Sequence, residues 1–236
     1  MNNIANLSAP AARLAGRTVM ADAYTTLRRD ILEAKLLPGT RIRFENLKRS
    51  YGVGLSPLRE ALMRLAAEGL VVLEEHKGFH IAPVSRADLL DIIRTRRELD
   101  CIGLVQSIAH GDDVWEGQVL ATLHQLRKWP KPLGIDAADS RWDEWEARHR
   151  AFHSALIAHC GSPWLLRFRD TLYDQLARYK KLSDNYLGAQ RDDLAEHEAI
   201  AEAALARDEA AALSRLRDHV DLTAEALMAV PNPRIA

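Results

Sequence analysis

Apolar positions recur at helical spacing along most of this chain and alternate only once. In ADAYTTLRRDILEAKL (21–36), Tyr24, Leu27, Ile31 and Leu32 fall on one face, and Pro38-Gly39 then break the pattern. FENLKRSYG (44–52) predicts a short helix ended by Gly52. In GLSPLREALMRLAAEGL, Ser56 suits an N-cap and Pro57 the first helical position. Leu58, Ala61, Leu62 and Leu65 form its apolar face, and Gly69 closes it. VVLEE (71–75) and FHIAP (79–83) flank His76-Lys77-Gly78, which predicts a β-hairpin. Three helices followed by a hairpin is the order of a winged helix-turn-helix, here over 19–84. From Arg86 onward helical periodicity runs through 86–110, 113–129, 139–160, 163–184, 191–207 and 209–229. The expected fold is mainly α: a winged helix-turn-helix, then an all-α antiparallel bundle over 85–230, with 1–18 as a flexible tail and the boundary at APVSR (82–86).

Composition narrows the setting. With 47% hydrophobic and 28% charged residues, the 236-residue chain can bury real cores beneath a charged surface. No apolar run approaches the ~20 residues that span a bilayer, and the first twenty positions hold no sustained apolar segment of the signal-peptide kind. Cys101 and Cys160 form no disulfide or metal spacing and read as small buried apolar residues, in keeping with a reducing cytoplasm. The net charge of −1 is unevenly divided: residues 1–84 hold 12 Lys/Arg against 8 Asp/Glu, which leaves 20 against 25 for the remainder. A basic front and an acidic back place any polyanion partner at the front.

In a helix-turn-helix, the N-terminal residues of the second helix meet base edges in the major groove. Here these are Leu55, Ser56 and Arg59 beside Gly54, with Arg59 turned away from the Leu58–Leu62–Leu65 face. Lys48 and Arg49, with Arg28, Arg41 and Arg43, are candidates for the phosphate backbone, and Lys77 and Gly78 at the hairpin tip for a minor groove. A solvated basic face on a protein-interaction domain is the competing explanation.

In the back half, four histidines interrupt apolar stripes. At ~100° per residue, Trp142, Trp145, Phe152, His153 and Leu156 all lie within about 60° of His149. His159 falls off that stripe. His197 is flanked on its face by Leu194, Ile200, Ala201 and Ala204, and His219 by Leu213, Leu216, Leu222 and Ala226. One inward histidine is ordinary core. Four without obvious partners point to a divalent metal such as Zn or Ni, because neutral imidazole is a common ligand for such ions. A polar pocket that takes water or an organic acid directly is the alternative. Arg96 lies amid Leu89, Ile92, Ile93, Leu99 and Gly103, where a buried guanidinium needs an anion. Asp100, at i+4, is one partner; a carboxylate effector is another. Arg178 and Tyr179 are further candidates for lining such a cavity. HRAFH lacks the Glu that the HExxH proteases use as base, and Glu146-x-x-His149 matches half of a di-iron motif whose other half is missing. A bundle metalloenzyme acting on small carboxylic acids, with an accessory winged domain, is therefore the second reading.

YTTLRRDILEAKLLPGTRIRFENLKRSYGVGLSPLREALMRLAAEGLV and the KGFHIAPVS hairpin resemble the GntR family of bacterial transcription regulators. The helical back half is similar to the FCD effector domain of its FadR subfamily. The GVGLSPLREAL and CGSPWLL variants look most like the branch with a carbon-starvation-induced, glutarate-responsive repressor. The resemblance implies a dimeric repressor of operator DNA, with Arg59 as DNA-contacting arginine, Ser56 as a further contact and Gly78 as the wing glycine. Gly54-Leu55 stand where Ser/Thr-Arg is common, so one base-reading arginine is missing. It implies a metal on His149, His153, His197 and His219, with His149 replacing the usual Asp, and Arg96 as the arginine of an R-x-x-L-E pattern (here RRELD). The effector it implies is a small carboxylate, with dicarboxylates such as glutarate among the candidates.

Overall fold

The computed structural model describes residues 19–132, 140–183 and 191–229. The expected tail at 1–18, the Pro-rich loop beyond Lys131-Pro132 and the break at NYLG lie outside these residues. Two compact units divide them: 19–85 with 177–182, and 86–176 with 183 and 191–229.

The first unit follows the predicted order. Helix α1 (Val19–Leu32) is followed by α2 (Phe44–Tyr51), α3 (Leu55–Ala67), β1 (Val71–Glu74) and β2 (Gly78–Ile81). Leu27 and Ile31 of α1, Leu47 and Tyr51 of α2, the Leu58–Ala61–Leu62–Leu65 face of α3, and Val71, Phe79 and Ile81 of the hairpin close one core. The Tyr51 hydroxyl donates to the buried Asp30 carboxylate at 2.6 Å, which fixes α2 against α1. Backbone bonds from Ile42 to Phe79 (2.8 Å) and from Ile81 to Thr40 (2.9 Å) tie the α1–α2 connection to the hairpin.

Three local details depart from the expectation. Helix α1 ends at Leu32, not near Leu36, because Ala34 takes φ 54° and the Leu36 amide turns back to the Asp30 carbonyl at 3.0 Å. Helix α3 begins two residues early: Gly54, extended at φ −68° and ψ 169°, is its N-cap, so Ser56 lies within the first turn rather than at the cap. The hairpin closes on a Glu74↔Gly78 pair, so Gly78, at φ 82°, opens β2 and the turn is Glu75-His76-Lys77. Gly52, at φ 63°, ends α2 as expected, its amide donating to the Lys48 carbonyl at 2.9 Å.

The second unit consists, among the described residues, of helices: α4 (Arg86–His110), α5 (Asp113–Lys128), α6 (Ser140–Leu156), the first turns of α7 (Pro163–Leu182), α8 (Asp193–Leu205) and α9 (Glu209–Met228). Asp112, Asp192 and Asp208 cap α5, α8 and α9, each accepting a backbone N–H at 3.0 Å. Helix α5 packs on α6 and α8, and α9 packs on α8 and α4. Gly103 lets α4 come against Ile157, whose Cβ would stand 3.0 Å from a methyl placed there. Helix α6 stops at Leu156, so His159 lies outside it, 3.7 Å from the Asp112 carboxylate.

The orientation of α3 is directly testable. Leu62 is fully buried and Met63, next to it, is 49% exposed. Leu62→Ala should destabilise the first unit by about 2–5 kcal/mol, whereas Met63→Ala should stay within about 0.5 kcal/mol, as read by denaturant unfolding.

Candidate functional site

On the first unit, packing leaves one side of α3 uncovered. Leu55, Ser56 and Arg59 are exposed while Leu58 and Leu62 are buried, so the core fixes which residues the helix presents. Arg59 lines a groove with Phe44 of α2 and Leu73, Glu74, Glu75, His76, Gly78 and Phe79 of the hairpin. Lys48 and Arg49 are exposed on α2, with Lys48 3.5 Å from Glu45 and Arg49 donating to Asn46 at 3.0 Å. Lys77 is exposed at the hairpin turn, 2.8 Å from Glu74. These surface pairs are weak and exchange readily for phosphate contacts. Arg28 instead donates to Glu68 at 3.0 Å, beside a Tyr24 hydroxyl that donates to the same carboxylate, and so holds α1 to the end of α3.

In the second unit, the inward faces of α6, α8 and α9 bring four histidines together. His149, His153, His197 and His219 are all buried, and one ring nitrogen from each lies within 4.8 Å of the others. His153 Nε2 stands 3.2 Å from both His149 Nε2 and His197 Nε2. The rings contact edgewise or tilted, with centroids 4.5 Å apart for His197–His219 and 4.6 Å for His149–His153. Trp145 stacks on His149 at 4.7 Å, and Phe152 covers His197 at 5.2 Å.

Surrounding groups set the tautomers. The Tyr173 hydroxyl donates to Glu146 at 2.7 Å and accepts from His149 Nδ1 at 3.1 Å. His219 Nδ1 donates to Glu196 at 2.8 Å. In both rings Nδ1 carries the proton and Nε2 is left as a lone pair facing the cluster, the arrangement that orients metal-bound histidines. Burial, then the imidazoles of His219 and His197, then the Arg96 and Arg169 guanidiniums hold His153 well below the ordinary imidazole range. Burial also lowers His219, against the opposing pull of Glu196. Although burial pushes it up, hydrogen bonds from Arg191 and His219 bring Glu196 down to about 2, so it is a carboxylate at neutral pH.

The donor set fits a divalent ion. Two nitrogens each ~2.0–2.1 Å from one tetrahedral ion lie about 3.3 Å apart, close to the His153 separations of 3.2 Å. Converging neutral lone pairs repel one another, and a cation between them removes that penalty.

Beside the cluster is a charged group in the same interior. Arg96 Nε is 3.1 Å from Asp100 Oδ2, the partner that the i+4 spacing allowed. Asp100 Oδ1 accepts from Arg169 Nε at 3.0 Å, and the Arg96 and Arg169 guanidiniums lie over the Tyr173 ring at 4.7 and 4.8 Å. Burial, then Glu146, raises the Tyr173 hydroxyl well above the ordinary phenol range, against the lowering effect of the two arginines. Sequence reasoning missed Arg169, Tyr173 and Glu196, and named Glu146 only as half of a di-iron motif. Leu165, Arg169, Tyr173 and Leu176 form one buried stripe on α7, so the helical wheel that exposed Arg96 would have found Arg169 as well. Arg178, read from the sequence as a candidate for lining the effector cavity, donates to the Ala82 carbonyl within the first unit.

Residues 20–81 match the gntR family of bacterial regulatory proteins, and residues 91–222 match the FCD domain. The chain belongs to the gntR family of transcription regulators. It is 38% identical to the transcriptional repressor GlaR of Escherichia coli K12 over 206 residues, 84% of this chain and 91% of that protein. It is 37% identical to the regulator BphR of Paraburkholderia xenovorans LB400 over 205 residues, 87% of this chain and 83% of that one. The same fold occurs in E. coli McbR/YncC, with TM-score 0.72 at 18% identity over 90% of this chain and 98% of that one. A gntR-type regulator with an FCD domain is a ligand-responsive transcription factor, and the metalloenzyme alternative is set aside. Among the described residues, no helix is long and apolar enough to cross a membrane.

The cluster predicts that protein purified without chelator carries about one divalent ion per chain and that the His153→Ala/His197→Ala double variant carries none, as read by elemental analysis. Metal-free wild type would contradict the assignment.

Proposed function

We propose that this regulator is a cytoplasmic homodimeric repressor that leaves its operator when the FCD domain binds a small carboxylate. The carrying observation is the burial, in one unit, of four converging histidines beside the Arg96–Asp100 pair. A guanidinium in that position offers a planar pair of donors matched to a carboxylate. A divalent ion such as Zn or Ni on His149, His153, His197 and His219 would supply a Lewis-acidic seat for a carboxylate oxygen. The chain's own groups do the rest: Glu146 through Tyr173 holds His149, Glu196 holds His219, and Trp145 and Phe152 exclude water.

Dimerisation follows from how such domains read DNA, one recognition helix for each of two half-sites. On the DNA side, Arg59, Ser56 and Leu55 of α3 face the bases, Lys48 and Arg49 the phosphates, and Lys77 and Gly78 the neighbouring minor groove. Control is linkage. The effector prefers one arrangement of the bundle, and that arrangement disfavours the spacing at which two winged domains bind together. The repressor sign is supported by the 38% identity to GlaR, itself named a repressor.

Arg59→Ala should weaken binding to the promoter beside the protein's own gene by about 1–3 kcal/mol in a fluorescence-anisotropy titration at fixed salt. Unchanged binding would remove α3 from the reading role. Arg96→Ala should leave operator affinity within about twofold of wild type and abolish release by carboxylates, since it changes only the sensing site. A retained response would make Arg96 structural.

A further inference from the structure

The helix that faces DNA opens on an apolar side chain. Leu55 is the first residue of α3 and is 53% exposed. Val53, two residues earlier, packs against the core of the unit, and Leu58, three residues later, is fully buried. Leu55 has no such place. Helical side chains lean toward the N-terminus, so Leu55 projects past the start of α3, one turn before Arg59. A single exposed leucine is ordinary on a protein surface. This one stands beside the arginine that the first unit presents to a duplex, and its neighbour is unusual as well.

That neighbour is Gly54. Its φ of −68° is one that any residue adopts, and a methyl placed on it would meet, among the described residues, only the Pro57 ring at 4.0 Å. Neither the backbone nor the packing of this unit therefore calls for glycine there. A missing side chain does matter to a surface arriving from outside, because it lets the backbone beside Leu55 come close. The residues that open α3 are Leu55, Ser56, Pro57 and Leu58, none of them charged, and Arg59 is the first cation. With Leu58 buried, what this turn offers a base edge is one hydroxyl, on Ser56, and one branched apolar group, Leu55.

In the major groove the base edges display donors, acceptors and one apolar group, the C5 methyl of thymine. A donor or acceptor set against a leucine gives up its water without replacement. We infer that Leu55 is a specificity-determining residue that reads a thymine methyl. One helix turn rises 5.4 Å and one base pair about 3.4 Å, so that thymine lies within about two base pairs of the base that Arg59 meets. This rests on the DNA reading above and adds to it the identity of a base. In a dimer the same thymine recurs in both half-sites, related by the two-fold axis of the operator.

The test uses full-length protein and a duplex that it selects from a random-sequence pool. Thymines of that duplex are exchanged for deoxyuridine, one symmetry-related pair at a time, and affinity is read by fluorescence anisotropy at fixed salt. The exchange removes the methyl and leaves base pairing intact. At one such pair wild type should lose about fourfold in affinity per exchanged half-site, the worth of one buried methyl. Leu55→Ala, whose melting temperature should match that of wild type because the side chain is exposed, should bind the thymine and uracil duplexes equally at that pair. Selection repeated with Leu55→Ala should no longer favour thymine there. If no exchange weakens wild type, or if each exchange weakens Leu55→Ala to the same extent, Leu55 reads no methyl and the inference is overturned. Wild type that selects no duplex at all would instead overturn the DNA reading itself.

Discussion

The polar interior of the helical bundle governs the rest of this molecule. Four imidazoles, two guanidiniums and a carboxylate occupy positions on α4, α6, α7, α8 and α9 where apolar side chains would normally meet. Removing such groups from water is costly unless each finds a partner. The local structure is arranged accordingly. Tyr173 serves His149, Glu146 and two arginines at once; Glu196 answers both His219 and Arg191; aromatic rings close the remaining sides. What the chain does not supply, an ion and an anionic ligand can. The free energy they contribute is then folding free energy of one bundle arrangement, which is the thermodynamic basis of a sensor.

The DNA-reading unit is built on the opposite rule. Its core is apolar around the buried Tyr51–Asp30 pair, and Lys48, Arg49 and Arg59 are exposed on its surface. Leu58, Leu62 and Leu65 leave α3 no choice of which face to expose, so Arg59 is positioned by packing rather than by contacts of its own. The same packing holds the hairpin beside α3, so that Arg59 and Gly78 line one groove. No ligand takes part in the packing of this unit, and in the proposed mechanism regulation enters as a change in how two copies engage one operator. Coupling free energies of about 1–3 kcal/mol suffice for that.

Most of this organisation was legible in the sequence because periodicity reports burial directly. The wheel identified His149, His153, His197, His219 and Arg96 as inward, and set His159 aside, from spacing alone. In α7, Arg169 sits between the exposed Phe168 and Asp170, in a stretch that reads as surface. The partners of these groups were not legible in principle: nothing local to Glu146 or Glu196 says that a tyrosine from α7 or a histidine from α9 will meet it. Helix ends were legible only where backbone chemistry decides them. Gly52 ends α2 as read, but Ala34 adopts a left-handed turn that its side chain does not announce, and Gly54 caps α3 where Ser56 was the better hydrogen-bonding residue. Arg178, buried and polar like the others, reaches a backbone carbonyl of the first unit, a destination that periodicity cannot distinguish from a ligand pocket.

The central claim is that ion, effector and operator are linked through the four-histidine interior. One titration tests it most directly: protein bound to its own promoter fragment is titrated with a panel of small carboxylates, metal-loaded and again after chelation, with DNA release followed by anisotropy. The account predicts release by at least one carboxylate in the metal-loaded state, and loss of that release, with operator binding intact, once the ion is removed. Release that is unchanged after chelation would contradict it.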